Sequence, residues 1–310
     1  MAMKPSNLDL IRPAQLDKGA RIGIAAPASP FDETHFKQGL SVLQALGYET
    51  VVDENIFLSR GYLAGDDDQR AAVLNNLFGD PEIDAIMCAR GGYGCMRLLD
   101  KLDYEIIRAN PKMFVGFSDI SLLLNVIYER CGLVGFHGPT VAALAEADDT
   151  TRASFETALS SDQPPVFDMP NAQVLCAGTA TGPVAGGNLS VLNHLVGTGY
   201  GLHYKGHILV LEDRIEAPYR IDRMLTQMQI AGVLDNIAGL VLGQFTECGP
   251  KAEVMKVFAE KFGRAGIPVL AGFEVGHGAP NLTFPIGEIA TLDTAACRLV
   301  YERAPTIGTN

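Results

Sequence analysis

Met113-Phe114-Val115-Gly116-Phe117-Ser118-Asp119 is an apolar run that ends abruptly in a serine and an aspartate, after which residues 120–128 continue at helical spacing. A short β-rich run passing directly into an amphipathic helix is the repeating unit of a parallel sheet, because parallel neighbours need a crossover connection. The same unit recurs upstream. Ile22-Gly23-Ile24-Ala25-Ala26 reads as a buried strand, and Phe36, Leu40, Leu43 and Leu46 follow at helical spacing. Residues 48–52, 69–78 and 85–88 read as strand, helix and strand. The alternation predicts an α/β fold whose N-terminal part is a mostly parallel sheet with flanking helices.

Past residue 150 the pattern weakens. Asp162-Gln163-Pro164-Pro165 and Asp168-Met169-Pro170-Asn171 are turn-rich, so an N-terminal domain over 19–162, an interdomain linker over 163–178 and a C-terminal domain over 179–304 are expected. The C-terminal part repeats the alternation, with helices expected at 188–195, 219–230 and 253–262 and strands at 207–211, 239–242 and 268–270. It closes in a β-rich end, a hairpin of 289–292 and 298–301 around Asp293-Thr294-Ala295-Ala296. A length of 310 residues, 47% of them hydrophobic, suits two such domains.

The net charge of −12 comes without any run of more than two Lys or Arg, so no nucleic-acid partner is expected. No stretch approaches the roughly 18 apolar residues of a membrane span, and no membrane partner is expected either. Residues 1–15 mix Lys4, Asp9 and Arg12 with prolines and lack the apolar core of a secretory leader. Cys88, Cys95, Cys131, Cys176, Cys248 and Cys297 are scattered among apolar neighbours without a C-x-x-C pair, as reduced core thiols are. A soluble cytoplasmic protein without metal or cofactor is expected.

Four polar sites lie at strand ends, where ligands bind in open α/β sheets. Ser118 fits two descriptions: an N-cap ahead of the helical run, or a nucleophile aimed into the crevice. The hydrolase signature G-x-S-x-G is half met, since Ile120 replaces the second glycine, and a generic α/β-hydrolase is not expected. Ala89-Arg90-Gly91-Gly92-Tyr93-Gly94 follows a strand and precedes a helical run at 96–102; it suits an oxyanion hole, a phosphate site or a plain tight turn. Neither phosphate-loop spacing is satisfied. Glu212 and Asp213 end the apolar run 208–211, and Pro218 opens a helix. Glu212 and Glu216 both precede that helix, and their chemistry alone does not choose between them. His277 lies in the glycine-flanked loop Glu274-Val275-Gly276-His277-Gly278-Ala279-Pro280-Asn281, and imidazole is the natural general base near neutral pH. Of the other histidines, His35, His203 and His207 read as surface residues, His194 as helical and His137 as a loop residue.

Taken in order, Gly23-Ile24-Ala25-Ala26-Pro27-Ala28-Ser29, Ala89 to Gly94, Gly116-Phe117-Ser118-Asp119, Gly186-Gly187-Asn188-Leu189-Ser190, Leu211-Glu212-Asp213, Tyr219-Arg220-Ile221-Asp222-Arg223-Met224-Leu225 and Gly276-His277-Gly278 resemble the LD-carboxypeptidase family of serine peptidases. The resemblance spans about residues 20 to 300. It implies a cytoplasmic, commonly dimeric, metal-independent enzyme that removes the terminal D-alanine from murein tetrapeptides in cell-wall recycling. It also implies Ser118 as nucleophile, His277 as base and Glu212 as its orienter, with the backbone amides of Gly92 and Asp119 as oxyanion hole. Arg90, with Gly91 beside it, is a further expectation for binding a substrate carboxylate.

Two alternatives stand beside this. A second branch of the family is similar in its triad but cleaves aminoacyl-nucleotide antibiotics, using an aromatic on a longer interdomain loop to stack the base. This chain has no Trp and only Phe167 in that segment. A two-domain binder with no reaction would share the crevice but has no use for a serine, a glutamate and a histidine in matching places.

Overall fold

The computed structural model describes residues 9–308; the N-terminal stretch read for a leader lies outside the described residues as far as residue 8. Its strands are β1 (Arg21–Ala25), β2 (Glu49–Val52), β3 (Ala85–Cys88), β4 (Met113–Gly116), β5 (Gly135–His137), β6 (Val166–Asp168), β7 (Gln173–Cys176), β8 (Thr179–Asn188), β9 (Ile208–Arg214), β10 (Gly239–Thr246), β11 (Val269–Ala271), β12 (Phe284–Ile286), β13 (Ile289–Asp293) and β14 (Arg298–Tyr301). The helices are α1 (Glu33–Ala45), α2 (Asp67–Gly79), α3 (Tyr104–Ala109), α4 (Ile120–Cys131), α5 (Val141–Leu144), α6 (Asp149–Ser160), α7 (Leu189–Asn193), α8 (Pro218–Ile230) and α9 (Lys251–Phe262). Aspartates 32, 66, 103 and 148 cap α1, α2, α3 and α6, which accounts for where those helices begin.

The first sheet runs β12-β5-β4-β3-β1-β2, with β1 to β5 parallel. Strands β3 and β4 are buried along their whole length, which is why they read as unbroken apolar runs rather than alternating ones. Strand order reverses between β1 and β3, and the loops after β1, β3 and β4 open side by side at the carboxyl edge. The second sheet runs β6-β14-β13-β8-β9-β10-β11-β7, parallel through β8 to β11 and antiparallel at both ends.

Helix α4 joins the two sheets. It is buried from Ile120 to Ile127 without a polar face, as a helix covered on all sides must be. Asn125, inside it, donates to the Gly186 carbonyl at 2.8 Å and accepts the Gly186 amide at 3.0 Å, so the helix is clamped to β8 of the second sheet. One apolar cluster runs through both halves by way of this helix.

Several expectations are corrected by long-range pairing. Residues 163–178 are not free of secondary structure: β6 and β7 lie there and close opposite edges of the second sheet. Three residues from the C-terminal part, Phe284–Ile286, form β12 and pair with β5 in the first sheet. The helical run expected at 96–102 is a 3-10 turn over Cys95–Leu98, since Gly94 at φ 142° ends the preceding loop late and Asp103 already caps α3. His137 is not a loop residue but the last residue of β5, fully buried. Among the described residues no helix is long and apolar enough to cross a membrane.

Candidate active site

Ser118 follows the last residues of β4 and adopts φ 63°, the left-handed region that a side chain enters only at a cost of about 1–3 kcal/mol. The turn is sharp because α4 begins two residues later. Ser118 does not cap that helix: Asp119 occupies the position before it, already helical and without a side-chain capping bond. The Asp119 carboxylate instead accepts the Cys95 amide at 2.8 Å, and its burial raises its proton affinity. The strained backbone lifts the Ser118 hydroxyl toward the crevice.

The glycine loop after β3 packs onto this serine. A Cβ on Gly91 would stand 2.7 Å from the Ser118 Cβ, so the close approach requires glycine there. Gly92 adopts φ 111°, a backbone conformation that favours glycine. Ser29 braces the turn: its amide donates to the Gly91 carbonyl at 3.3 Å and its Oγ accepts the Tyr93 amide at 3.0 Å. Among the described residues neither the Gly92 nor the Asp119 amide donates to another group.

Beneath the loop lies Arg70, 3% exposed. Its Nη1 donates to the Gly94 carbonyl at 3.1 Å and to the Pro27 carbonyl, and its Nη2 to Asp67 Oδ1 at 2.5 Å. Arg97 holds the same Asp67 from outside, and that hydrogen bond, against a smaller burial effect, keeps the carboxyl below the usual range. Arg70 thereby ties the loop after β1 to the loop after β3. Sequence reasoning passed over it, although Arg70, Leu74 and Phe78 sit four residues apart on one face of α2, a charge on an apolar stripe.

The second sheet supplies the rest. His277 Nε2 lies 3.0 Å from Ser118 Oγ, and its Nδ1 lies 2.7 Å from Glu212 Oε2. The histidine loop is held by the Gly276 amide donating to Asn281 Oδ1 at 2.9 Å and the Gly278 amide donating to Gln244 Oε1 at 2.6 Å. Phe117 packs against the imidazole, with ring centroids 5.1 Å apart. Glu212, inside β9, is wholly buried, and its Oε1 accepts Asn188 Nδ2 at 3.2 Å. Glu216 instead pairs with Arg220 at 3.6 Å, which separates the two candidate glutamates.

Asn188 also donates to Asp213 Oδ1 at 3.1 Å, and its own Oδ1 accepts Ser190 Oγ and the Val191 amide. Burial, reinforced by the neighbouring Glu212, pushes Asp213 up to about 6. For His277, burial lowers proton affinity, but the hydrogen bond and charge of Glu212, with Asp213 behind, outweigh it and raise the pKa above its ordinary value. His137 sits in register with Gly116 on the neighbouring strand, between Phe117 and Phe284. Burial drives it down to about 4, so it is neutral.

Arg90 is exposed, with Nη1 donating to the Pro30 carbonyl at 2.5 Å. Among the described residues no group of three His, Cys, Asp or Glu side chains is arranged to hold a metal ion. Cavities of 620 Å³ beside Arg130 and Tyr200 and of 770 Å³ between α6 and β6 touch none of Ser118, Glu212 and His277. Hydrogen-bond geometry rather than cavity size therefore locates the site. A carboxylate on Nδ1–H leaves the Nε2 lone pair facing a hydroxyl, and such an arrangement can take the proton of an attacking serine.

The profile of the LD-carboxypeptidase N-terminal domain matches residues 22–138, and that of the LD-carboxypeptidase C-terminal domain matches residues 181–292. The chain belongs to the LD-carboxypeptidase family. It is a serine carboxypeptidase, a hydrolase. A probable murein peptide carboxypeptidase of Bacillus subtilis is 36% identical over 306 residues, covering 96% of each chain. A murein tetrapeptide carboxypeptidase of Pseudomonas aeruginosa is 32% identical over 314 residues, covering 94% of this chain and 98% of that protein. The solved structure of wild-type microcin C7 self-immunity protein MccF superposes with a TM-score of 0.89 at 28% identity, over 96% of this chain and all of the other. Membership in a hydrolase family removes the binder without a reaction.

Proposed function

We propose that the chain is a metal-independent LD-carboxypeptidase that releases the terminal D-alanine of murein tetrapeptides during cell-wall recycling in the cytoplasm, working as a homodimer. The observation that carries the reading is the unbroken chain from Ser118 Oγ through His277 to buried Glu212, spanning both sheets and starting at a serine held in a strained turn.

In this mechanism Ser118 Oγ attacks the carbonyl carbon of the L-to-D peptide bond while His277 Nε2 accepts the hydroxyl proton. Glu212 keeps the Nδ1–H tautomer and stabilises the imidazolium. The carbonyl electrons move onto oxygen, where the Gly92 and Asp119 amides receive the negative charge. Collapse expels the D-alanine amine, which takes the proton from His277 and leaves an acyl-serine. Water, deprotonated by the same imidazole, then releases the tripeptide and restores Ser118. Because Ser118 follows β4 of the first sheet, Glu212 lies in β9 of the second and His277 in the loop that joins β11 to β12, the packing of α4 against β8 sets the reacting geometry.

The likeness to MccF supports a second reading, cleavage of an aminoacyl-nucleotide conjugate. Base stacking on the 163–178 segment has little support: its one large aromatic, Phe167, is buried against Phe273 and Tyr301. Mass spectrometry of L-Ala-γ-D-Glu-meso-diaminopimelate-D-Ala incubated with the enzyme in EDTA, beside a Ser118→Ala control, tests the proposal. Release of D-alanine by the wild type alone is expected. Turnover of an aspartyl-nucleotide conjugate in place of the tetrapeptide would transfer the assignment to the second reading.

A further inference from the structure

A carboxypeptidase acts only next to a free C-terminus, so hydrogen-bond donors have to meet the terminal carboxylate near the reacting bond, and a cation is the strongest of them; an unpaired carboxylate carried out of water is costly. The position of that carboxylate follows from the chemistry proposed for Ser118, Glu212 and His277, on which this inference rests. His277 Nε2 must protonate the leaving amine, and the carboxylate is separated from that nitrogen by one carbon. The cation therefore belongs on the His277 side of the crevice, away from the amides of Gly92 and Asp119.

Arg214 stands there. It ends β9 two residues beyond Glu212, and residues two apart in a strand project from the same face. Its Nε and Nη2 both donate to one oxygen of Glu247, at 3.1 and 2.8 Å, and the pair is half exposed. That side-on contact leaves the Nη1 end of the guanidinium without a partner among the described residues, and a planar guanidinium has five N–H groups. The end-on fork remains open to a second carboxylate. The backbone on both sides of the pair is sharply turned, at Ile215 (φ 61°) and at Glu247 itself (φ 58°), neither of them glycine. The charge of Arg214 also reaches the imidazole, where it opposes protonation of His277. Arg90, by contrast, is on the loop that bears Gly92 and is turned onto Pro30.

We propose that Arg214, held side-on by Glu247, binds the terminal carboxylate of the leaving amino acid through its free guanidinium edge and so restricts the enzyme to C-terminal residues. The tetrapeptide ending in D-alanine and the same peptide ending in D-alaninamide, each assayed with wild type, Arg214→Gln, Arg214→Lys and Ser118→Ala, test this. Wild type should favour the free acid by about 10²-fold in kcat/KM, the size of a charge-assisted bidentate contact. On the pH plateau above the His277 limb, Arg214→Gln should raise KM for the acid about 10- to 100-fold with little change in kcat, change the amide far less, and so collapse the preference. Arg214→Lys should restore part of it. In Arg214→Gln the acid limb of the kcat/KM profile should also move to higher pH, a shift that loss of packing would not produce.

An acid-to-amide ratio unchanged in Arg214→Gln, equal losses on both substrates, or a wild type indifferent to the carboxylate overturns the proposal alone. Activity retained by Ser118→Ala, or a wild type inactive on both peptides, overturns the underlying reading and this proposal with it.

Discussion

Glu212→Gln should cost far more than the loss of one charge, because Asn188 decides how the new amide is oriented. The Asn188 side chain donates to Glu212 Oε1 at 3.2 Å, and its own Oδ1 is already engaged by Ser190 and Val191, so it cannot turn round without breaking those bonds. The glutamine would keep its oxygen on the Asn188 side and present its NH₂ to His277 Nδ1. Imidazole would answer by accepting at Nδ1 and carrying its proton on Nε2, where it faces Ser118 Oγ and can no longer act as base. Installing the wrong tautomer in a serine triad costs about 10⁴ in kcat, about 5.5 kcal/mol of barrier.

The pH profile should move in a definite direction as well. In the wild type Glu212 raises the His277 pKa against the pull of burial, so the acid limb of kcat/KM is expected above pH 6.5. Without the carboxylate, burial is left and the limb of the residual activity should fall below that value. The same shift links to stability. A histidine whose folded pKa is raised stabilises the fold fully below pH 6.5, and that contribution is lost as pH rises through the folded value. The assay is D-alanine release over pH 5–9 with the His277 tautomer followed by nitrogen NMR. A Glu212→Gln enzyme within tenfold of wild type, or one whose acid limb stays in place, would refute the role assigned to the Asn188–Glu212–His277 chain.

Ser118→Gly should abolish turnover yet raise stability by about 1 kcal/mol, since glycine takes the left-handed φ without strain; thermal unfolding beside the assay checks both. Arg70→Met should lower kcat more than KM by loosening the Gly91–Gly94 loop, and should destabilise the fold by about 1–3 kcal/mol because the Pro27 and Gly94 carbonyls lose their buried donor while Asp67 keeps Arg97; denaturant titration reads the second effect. Arg70→Lys should recover stability before it recovers rate, since one ammonium cannot hold Pro27, Gly94 and Asp67 in the planar geometry of a guanidinium. Activity should persist in excess EDTA, and a loss reversed by added metal would contradict the proposed chemistry.

The sequence by itself determined the parallel sheet with its flanking helices, because β1, β3 and β4 are buried on both faces and so appear as unbroken apolar runs before amphipathic helices. It also placed Ser118 directly after such a run, whereas Glu212, read as ending a strand at 208–211, lies inside β9, and His277 lies in the loop between β11 and β12. Tertiary structure alone decided between Ser118 as a cap and as a hydroxyl turned to His277. The left-handed turn depends on Gly91 and Ile120 packing around it, and no local spacing encodes that. It put Glu212 rather than Glu216 beside His277 because β9 runs on to Arg214, so Glu212 points inward at Asn188 and His277 while Glu216 lies beyond the strand. The transfer of Phe284–Ile286 to the first sheet and the closing of both edges of the second by residues 163–178 were equally illegible. Strands of three or four residues carry too little periodicity to name a partner, and what selects one is the row of unpaired backbone groups that only the folded sheet presents.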